Sequence, residues 1–442
     1  MNIRLFICLL LLPFSAIFAQ NAPLRLSAAE AVDYGLKNRK DVQNQRIFEK
    51  IAQNETDKVR TRNLPQVTAS ADYRYNFQLQ AIVFPPGLGP TPRPEPTAVR
   101  LGTNYSLLAG LNANYDLFNP TTQADKRFGQ KSEEMERANT EKLTQDTKQA
   151  ILKAYYSVLL NQEKARFSAE NLKRTEQYLA QGRVQFENRA ILKTDLDRLQ
   201  LDYQNAHVTQ AEDDKNLQLS RLYLANQIGT EANATVEATE SLESVMRSLP
   251  DVGGLRDTFA KRVEFKQEQL RLDQSQLNAA RQGKAYLPTV SLYGSWNAQH
   301  LSNNFEPFAA GTWFPFSYAG LKVTATLFDG LLRERTRTEY RHRAEQNRNN
   351  LAKLQSDLNY EWESARVQLL NAHEKLKTAR DNYALAQSVV QTDNLRFREG
   401  KTTAADLRNT EYSLATAQNN LLTNYYNFLV AKIAYQKAVG EL

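Results

Sequence analysis

Val67-Thr68-Ala69-Ser70-Ala71-Asp72-Tyr73-Arg74-Tyr75-Asn76-Phe77-Gln78-Leu79 alternates between apolar and polar residues without a fault. A period of two is the mark of a strand with one apolar and one polar face. Leu64-Pro65 stands just before it, and the proline ends the helix that precedes. Tyr105 to Leu117 does the same, with Tyr105, Leu107, Ala109, Leu111, Ala113, Tyr115 and Leu117 on one face. Between the two lie Pro85, Pro86, Pro90, Pro92, Pro94 and Pro96, so residues 80–102 read as a loop rather than a strand.

The pattern occurs twice. Leu287-Pro288-Thr289-Val290 matches Leu64-Pro65-Gln66-Val67. After it Val290, Leu292, Trp296 and Ala298 alternate with polar residues, and then Leu321, Val323, Ala325 and Leu327 do so. Further along, Phe186 to Gly229 matches Phe397 to Gly440 at a constant offset. Asp195-Leu196 pairs with Asp406-Leu407, and Ile228-Gly229 with Val439-Gly440. Each half reads as helix, hairpin, long helix, short helix. The first repeat is expected over 20–229, with strands near 66–79 and 104–118 and helices near 27–63, 121–187 and 192–228. The second is expected over 251–442, with strands near 289–299 and 320–329 and helices near 254–284, 331–397 and 402–439. Residues 230–250 join the two.

The helices fit one another by length. A helix of roughly 65 residues reaches on the order of 100 Å, and two of roughly 37 residues reach about the same if stacked. Ser27 and Glu30 have capping-box spacing at the first helix start. Leu407, Leu414, Leu421, Phe428 and Tyr435 recur every seven residues, as do Leu196, Tyr203, Gln210, Leu217 and Leu224. A strict heptad argues for supercoiled packing, with an ordinary amphipathic bundle as the plainer alternative.

Residues 1–19 carry Arg4, a short apolar run from Leu5 to Leu12, and Ile17-Phe18-Ala19 before Gln20, which is the pattern of a secretory signal peptide. The one cysteine, Cys8, lies inside it, so the mature chain is expected to have no disulfide and no thiol ligand. The formal net charge of +7 is modest for 442 residues and loses Arg4 with the signal. Acidic and basic residues are interspersed, which speaks against a nucleic-acid partner. No stretch of about 18 apolar residues follows the signal, which excludes a helical membrane protein but not a β-barrel.

The apolar strand faces are rich in aromatics, with Tyr73, Tyr75, Phe77, Tyr105, Tyr115 and Trp296, as at membrane interfaces. A sheet in lipid must close, and four strands cannot close alone, so a membrane sheet here requires several copies. The alternative for the strands is a half-buried antiparallel sheet in a soluble domain. The alternative for the whole chain is an exported elongated coiled-coil scaffold or adhesin without a pore, which would explain the helices but not the paired alternating hairpins.

The doubled helix–hairpin–long helix–short helix order, with a Leu-Pro strand entry in each half, resembles the TolC family of outer-membrane efflux proteins over about Leu24 to Gly440. The resemblance implies a mixed α+β chain that gives four strands to a trimeric twelve-stranded β-barrel, continued by a coiled-coil-like α-helical barrel through the periplasm. Residues 80–102 and 300–317 would be extracellular loops, and 230–250 would lie in a belt around the helical barrel. The implied function is the exit duct of a tripartite export system, passing small toxic compounds or drugs, or a secreted polypeptide. Its partners would be two further copies, outer-membrane lipid, a periplasmic adaptor and an inner-membrane pump of the RND or ABC type.

The same resemblance places the gate at the turns Phe186–Leu196 and Phe397–Leu407. Asp406 stands six residues after Gly400, as the family's constriction acid does, and Asp195 matches the acid of the other copy. Asn409 holds the position of a second Asp, and the family's Tyr and Arg latch positions hold Phe397 and Thr402, so the known ion-pair latch is not expected. Arg189, Ala190, Lys193, Gly400, Lys401 and Thr402 would meet the adaptor. Asp406 also reads simply as a first-turn acid at a helix N-terminus. No catalytic motif, cofactor loop or metal spacing is present: His207, His300, His342 and His373 lie in different elements. An enzyme is not expected, nor a cofactor.

Overall fold

A computed structural model describes residues 24–88, 94–230, 235–247, 261–307, 309 and 313–442. The expected signal, residues 1–19, lies outside the described residues. The first repeat runs β1 Leu24–Leu26, α1 Ala28–Asn38, α2 Lys40–Thr61, β2 Gln66–Tyr75, β3 Ala81–Phe84, β4 Thr97–Arg100, β5 Tyr105–Phe118, α3 Thr122–Glu187 and α4 Lys193–Ile228. A connecting segment holds β6 Val236–Ala238 and α5 Leu242–Arg247. The second repeat runs α6 Val263–Lys284, β7 Thr289–Ser302, β8 Trp313–Thr324, α7 Leu332–Arg398 and α8 Ala404–Ala438. The chain forms two compact units, one of Gln45–Thr140 with Val263–Ser356, the other of the remaining residues.

The first unit holds one antiparallel sheet in the order β2-β5-β7-β8. Its register puts the apolar positions side by side: Val67, Ala113, Gly294 and Ala319 form one row, and Ala69, Leu111, Trp296 and Ser317 the next. The other face is polar along most of β2, β5 and β7, and β8 adds Phe314, Phe316 and Tyr318 to it. There Ser295 Oγ donates to Asn112 Oδ1 at 2.7 Å, Asn297 Nδ2 donates to Ser295 Oγ at 2.6 Å, and Arg74 pairs with Asp72 at 2.7 Å. A face carrying this ladder and an ion pair is unsuited to hydrocarbon, whereas its opposite is apolar along β2 and β5, with His300, Ser302 and Ser317 as its polar members on β7 and β8. At the hairpin end of the apolar face Tyr73, Tyr75 and Tyr105 cluster, with Phe305 edge-on to Tyr73 and Tyr105 at 5.6 and 5.8 Å.

The expected boundaries need four corrections here. The strand expected to 79 ends at Tyr75. Residues 80–102 are not all loop, because Ala81-Ile82-Val83-Phe84 pairs with Thr97–Arg100; the short run is apolar and the prolines lie outside the paired residues. The strand expected over 289–299 continues to Ser302. The one expected over 320–329 lies at Trp313–Thr324, so much of 300–317 is strand. Pro315 lies within β8, which is the edge of the protomer's sheet, where proline is tolerated.

The second unit is helical. The heptad row of α8 is buried throughout: Leu407, Leu414, Leu421, Phe428 and Tyr435 are all 9% exposed or less. In α4 the expected row is half-buried at Leu196, Tyr203, Gln210 and Leu217 and fully buried at Leu224, and a second buried row lies three residues on at Leu199, Ala206 and Ser220. The two rows are the a and d positions of one heptad. A larger core gathers Ile151, Tyr155, Leu159, Leu224, Ile228, Leu429 and Ile433 around the parallel pair β1–β6.

The helix expected over 27–63 is interrupted. Ser27 and Glu30 form the capping box of α1, but Arg39 is extended at φ −62°, ψ 128°. Its guanidinium donates to Asp41 at 2.6 Å and to the Gln227 carbonyl at 3.0 Å, and its Cα lies 3.2 Å from where a Cβ on Gly229 would stand. The break therefore seats α1 against the end of α4. Gly440, at the end of α8, meets Lys261 in the same way. The helix expected from 254 is described from Val263, and residues 254–260 lie outside the described residues.

Tyr155 ties this core to β1: its ring is fully buried and its hydroxyl donates to the Leu26 carbonyl at 3.1 Å. That carbonyl also accepts from Thr239 N at 3.1 Å, so it stays satisfied without the phenol. Tyr155→Phe is expected to cost about 1 kcal/mol. Tyr155→Ala, which also empties the site, is expected to cost about 3–5 kcal/mol. Thermal unfolding of the purified protein in detergent measures both.

Candidate functional site at the two helix turns

The turns α3–α4 and α7–α8 have the same backbone. Arg189 N donates to Phe186 O and Ala190 N to Gln185 O; Gly400 N donates to Phe397 O and Lys401 N to Arg396 O. Both turns need a left-handed residue, supplied by Gly400 at φ 67° and by Arg189 at φ 56°. Glycine takes this conformation freely, whereas a side chain costs roughly 1–2 kcal/mol there. Arg189, Ala190, Lys193, Gly400 and Lys401 are all exposed, and Lys401 pairs with Glu399 at 2.7 Å.

The helix starts that follow differ. Thr403 caps α8, its hydroxyl accepting from Asp406 N at 3.1 Å. Asp406 closes the box, with Oδ2 accepting from Thr403 Oγ1 at 2.7 Å and from Thr403 N at 3.4 Å. Thr402 Oγ1 stands 3.5 Å from the same oxygen, so Thr402 faces Asp406. The Thr403 hydroxyl, then its N–H, hold the Asp406 carboxyl below its ordinary range. In α4 the cap position is Leu192, which has no side-chain hydrogen bond to give. Asp195 therefore keeps its carboxylate out of a box, 3.4 Å from Arg198. Asn409 lies one turn beyond Asp406 and is exposed.

The two hairpins are joined side by side. Phe397 and Leu407 are buried against Tyr178, Leu179 and Leu199, with Tyr178 edge-on to Phe397 at 6.2 Å. Further along, Arg174 donates to both carboxylate oxygens of Glu411, at 3.2 and 3.1 Å, and the Tyr178 hydroxyl donates to Glu411 at 2.8 Å. Burial, reinforced by the Glu411 charge, pushes the Tyr178 hydroxyl up. A cavity of about 220 Å³ adjoins this cluster, lined by Thr175, Asp202, Arg408 and Tyr412 among others, and burial raises the Asp202 carboxyl more than Arg408 lowers it. Sequence reasoning found Phe397 but not Arg174, Tyr178 and Glu411. Arg174 and Glu411 are 237 positions apart, and nothing local marks them. Among the described residues no group of three His, Cys, Asp or Glu could hold a metal ion, and no helix is long and apolar enough to cross a membrane.

Two outcomes follow from the unequal caps. Leu192→Thr supplies the missing cap before Asp195 and should raise stability by about 1 kcal/mol, while Thr403→Ala should lose about as much. Opposite shifts of the unfolding temperature check this. The folded Asp406 lies below the unfolded value of 3.8, so it adds stability that is present above about pH 4 and lost as pH falls through the folded value. The stability gap between wild type and Asp406→Asn should be full at pH 7 and close in acid, read as unfolding midpoints across that range.

A search among curated proteins finds no match. Solved structures match along nearly the whole chain. The outer membrane protein VceC from Vibrio cholerae is 14% identical with a TM-score of 0.72, over 93% of this chain and 96% of that one. The Campylobacter jejuni CmeC outer membrane channel is 14% identical with a TM-score of 0.70, over 94% and 85%. The open state of the Neisseria gonorrhoeae MtrE outer membrane channel is 16% identical with a TM-score of 0.72, over 93% and 88%. At such identities the likeness establishes the fold, and the fold is that of these channels. The family model described as outer membrane efflux protein matches residues 32–230 and 255–441, one segment for each repeat, and the chain therefore belongs to the outer membrane efflux protein family.

Proposed function

We infer that the protein is the outer-membrane exit duct of a tripartite export system. The observation that carries this is the sheet: four strands with one face apolar over β2, β5 and most of β7, an opposite face bearing a hydrogen-bonded polar ladder, and two unpaired edges, β2 and β8, in a chain of an efflux family. A polar inner face and an apolar outer face are what a water-filled barrel in lipid requires. Three copies would supply twelve strands, and the helices would continue the duct into the periplasm. The relatives CmeC and MtrE are channels rather than enzymes. A periplasmic adaptor would meet the exposed turn residues Arg189, Ala190, Lys193, Gly400 and Lys401 and the half-buried Thr402, and an inner-membrane pump of the RND or ABC type would supply energy and choose the cargo.

The same reading makes the two turns the constriction. Asp406 from each copy would form an acidic ring, flanked by Asp195 and Asn409, favouring cations in a narrow throat. Its capping box supports the role rather than competing with it, because the box fixes the carboxylate and keeps it charged to low pH. The hairpins would be held closed by the apolar contact of Phe397 with Tyr178 and by Glu411 with Arg174, in place of the family's Tyr and Arg latch.

Planar-bilayer conductance of the mature protein tests both levels. Small cation-preferring steps that grow in Asp406→Ala and Asp195→Ala are expected. Steps of unchanged size in both variants reject the gate, and a soluble oligomer giving no steps at all favours the scaffold reading.

A further inference from the structure

All four junctions between the sheet and its helices, which lie in one compact unit, share an order. Exposed apolar residues come first on the sheet side: Leu64 after α2, Phe118 before α3, Leu287 after α6, and Leu327 with Phe328 before α7. Cations follow at once on the helix side. Arg60 and Arg62 stand at the end of α2, Lys126 and Arg127 in the start of α3, Arg281 and Lys284 in the last turn of α6, and Arg333, Arg335 and Arg337 in the first turns of α7, with Arg341 one turn further on. Tyr286, half exposed, lies under the Arg333 guanidinium at 5.4 Å.

Helix stability accounts for only half of these cations. At the C-terminal ends of α2 and α6 they complement the helix dipole, but at the N-terminal ends of α3 and α7 they oppose it. Several are not used within the chain either. Among the described residues Lys126, Arg127, Lys284, Arg335 and Arg341 have no carboxylate partner, while neighbours such as Arg62, Arg281 and Arg333 do. Leu331, just before α7, is held at φ 66° with its side chain 55% exposed, so packing within the protomer does not offset the strain. An apolar rim, an aromatic at its edge and unpartnered cations beyond form the profile of a surface seated at a lipid–water boundary.

We propose that this collar binds the anionic phosphate headgroups of the membrane leaflet on the helical side, with Lys126, Arg127, Lys284, Arg335 and Arg341 as the headgroup contacts. The occupant is a phospholipid rather than free phosphate, because the cations adjoin an exposed apolar rim that acyl chains would cover. The proposal rests on the reading of the sheet as the membrane-embedded part.

The test compares the full-length oligomer in detergent with the variant K126Q/R127Q/K284Q/R335Q/R341Q. Binding of dansyl-labelled phosphatidylglycerol and of dansyl-labelled phosphatidylcholine is read by energy transfer from the tryptophans. Each basic residue near an anionic surface is worth roughly fivefold in affinity, so wild type should prefer phosphatidylglycerol at least tenfold, less so at high salt, and the variant should lose the preference while keeping phosphatidylcholine binding and its oligomeric state. Equal binding of the two lipids by wild type overturns the collar. So does displacement of phosphatidylglycerol by equimolar inorganic phosphate, or dissociation of the variant in phosphatidylcholine alone, which would assign the cations to neighbouring copies. Binding of neither lipid instead overturns the membrane reading of the sheet, and the collar with it.

Discussion

A β-sheet placed in hydrocarbon can leave no backbone N–H or C=O unpaired. Within one protomer β5 and β7 satisfy this on both sides, but β2 and β8 each have one bare edge. Four strands are too few to bend round and join their own edges. The apolar face cannot be withdrawn into a core either, because residues such as Val67, Trp296, Leu321 and Val323 are all more than half exposed. Both facts point to other copies as the partner of β2 and β8. Oligomerisation is then part of the fold rather than an addition to it.

The sequence shows its two periodicities plainly because each comes from a single repeated constraint. A strand exposed to different solvents on its two faces must alternate, and Val67 to Tyr75 and Tyr105 to Leu117 do. A helix that supercoils against others must keep a heptad, and the α8 row from Leu407 to Tyr435 is buried from end to end. The alternation misleads only in β8. There Phe314, Phe316 and Tyr318 lie in register with Gln299, Asn297 and Ser295, so the aromatics share the polar face. A reading that assigns apolar residues to one face starts that strand too late.

What the sequence hides is set by partners far away along the chain. The break at Arg39 depends on Asp41, which is near, and on Gln227 and Gly229, which are not. The contact of Arg174, Tyr178 and Glu411 joins the two repeats and has no local signature at all. At the turns the situation is intermediate. The Gly400 turn announces itself, but the same backbone at Arg189 is held by its hydrogen bonds, against the preference of the residue. The equivalence of the two turns is visible only because the sequence repeats.

The repeats agree where the fold leaves no choice and differ where the candidate site lies. Leu-Pro strand entries, heptads and the left-handed glycines Gly229 and Gly440 are shared. At the turns, by contrast, Arg189 answers Gly400 and Leu192 answers Thr403, although Asp195 and Asp406 occupy the same place in both. One acid is locked into its cap and the other is free to pair with Arg198. The two hairpins of a protomer therefore present unlike charge and unlike stiffness from the same backbone. In an assembly of several copies, such turns would alternate around a ring. Two classes of hairpin, one rigid at its carboxylate and one not, would allow a constriction to open by moving one class against the other, which six identical hairpins would do only by breaking symmetry.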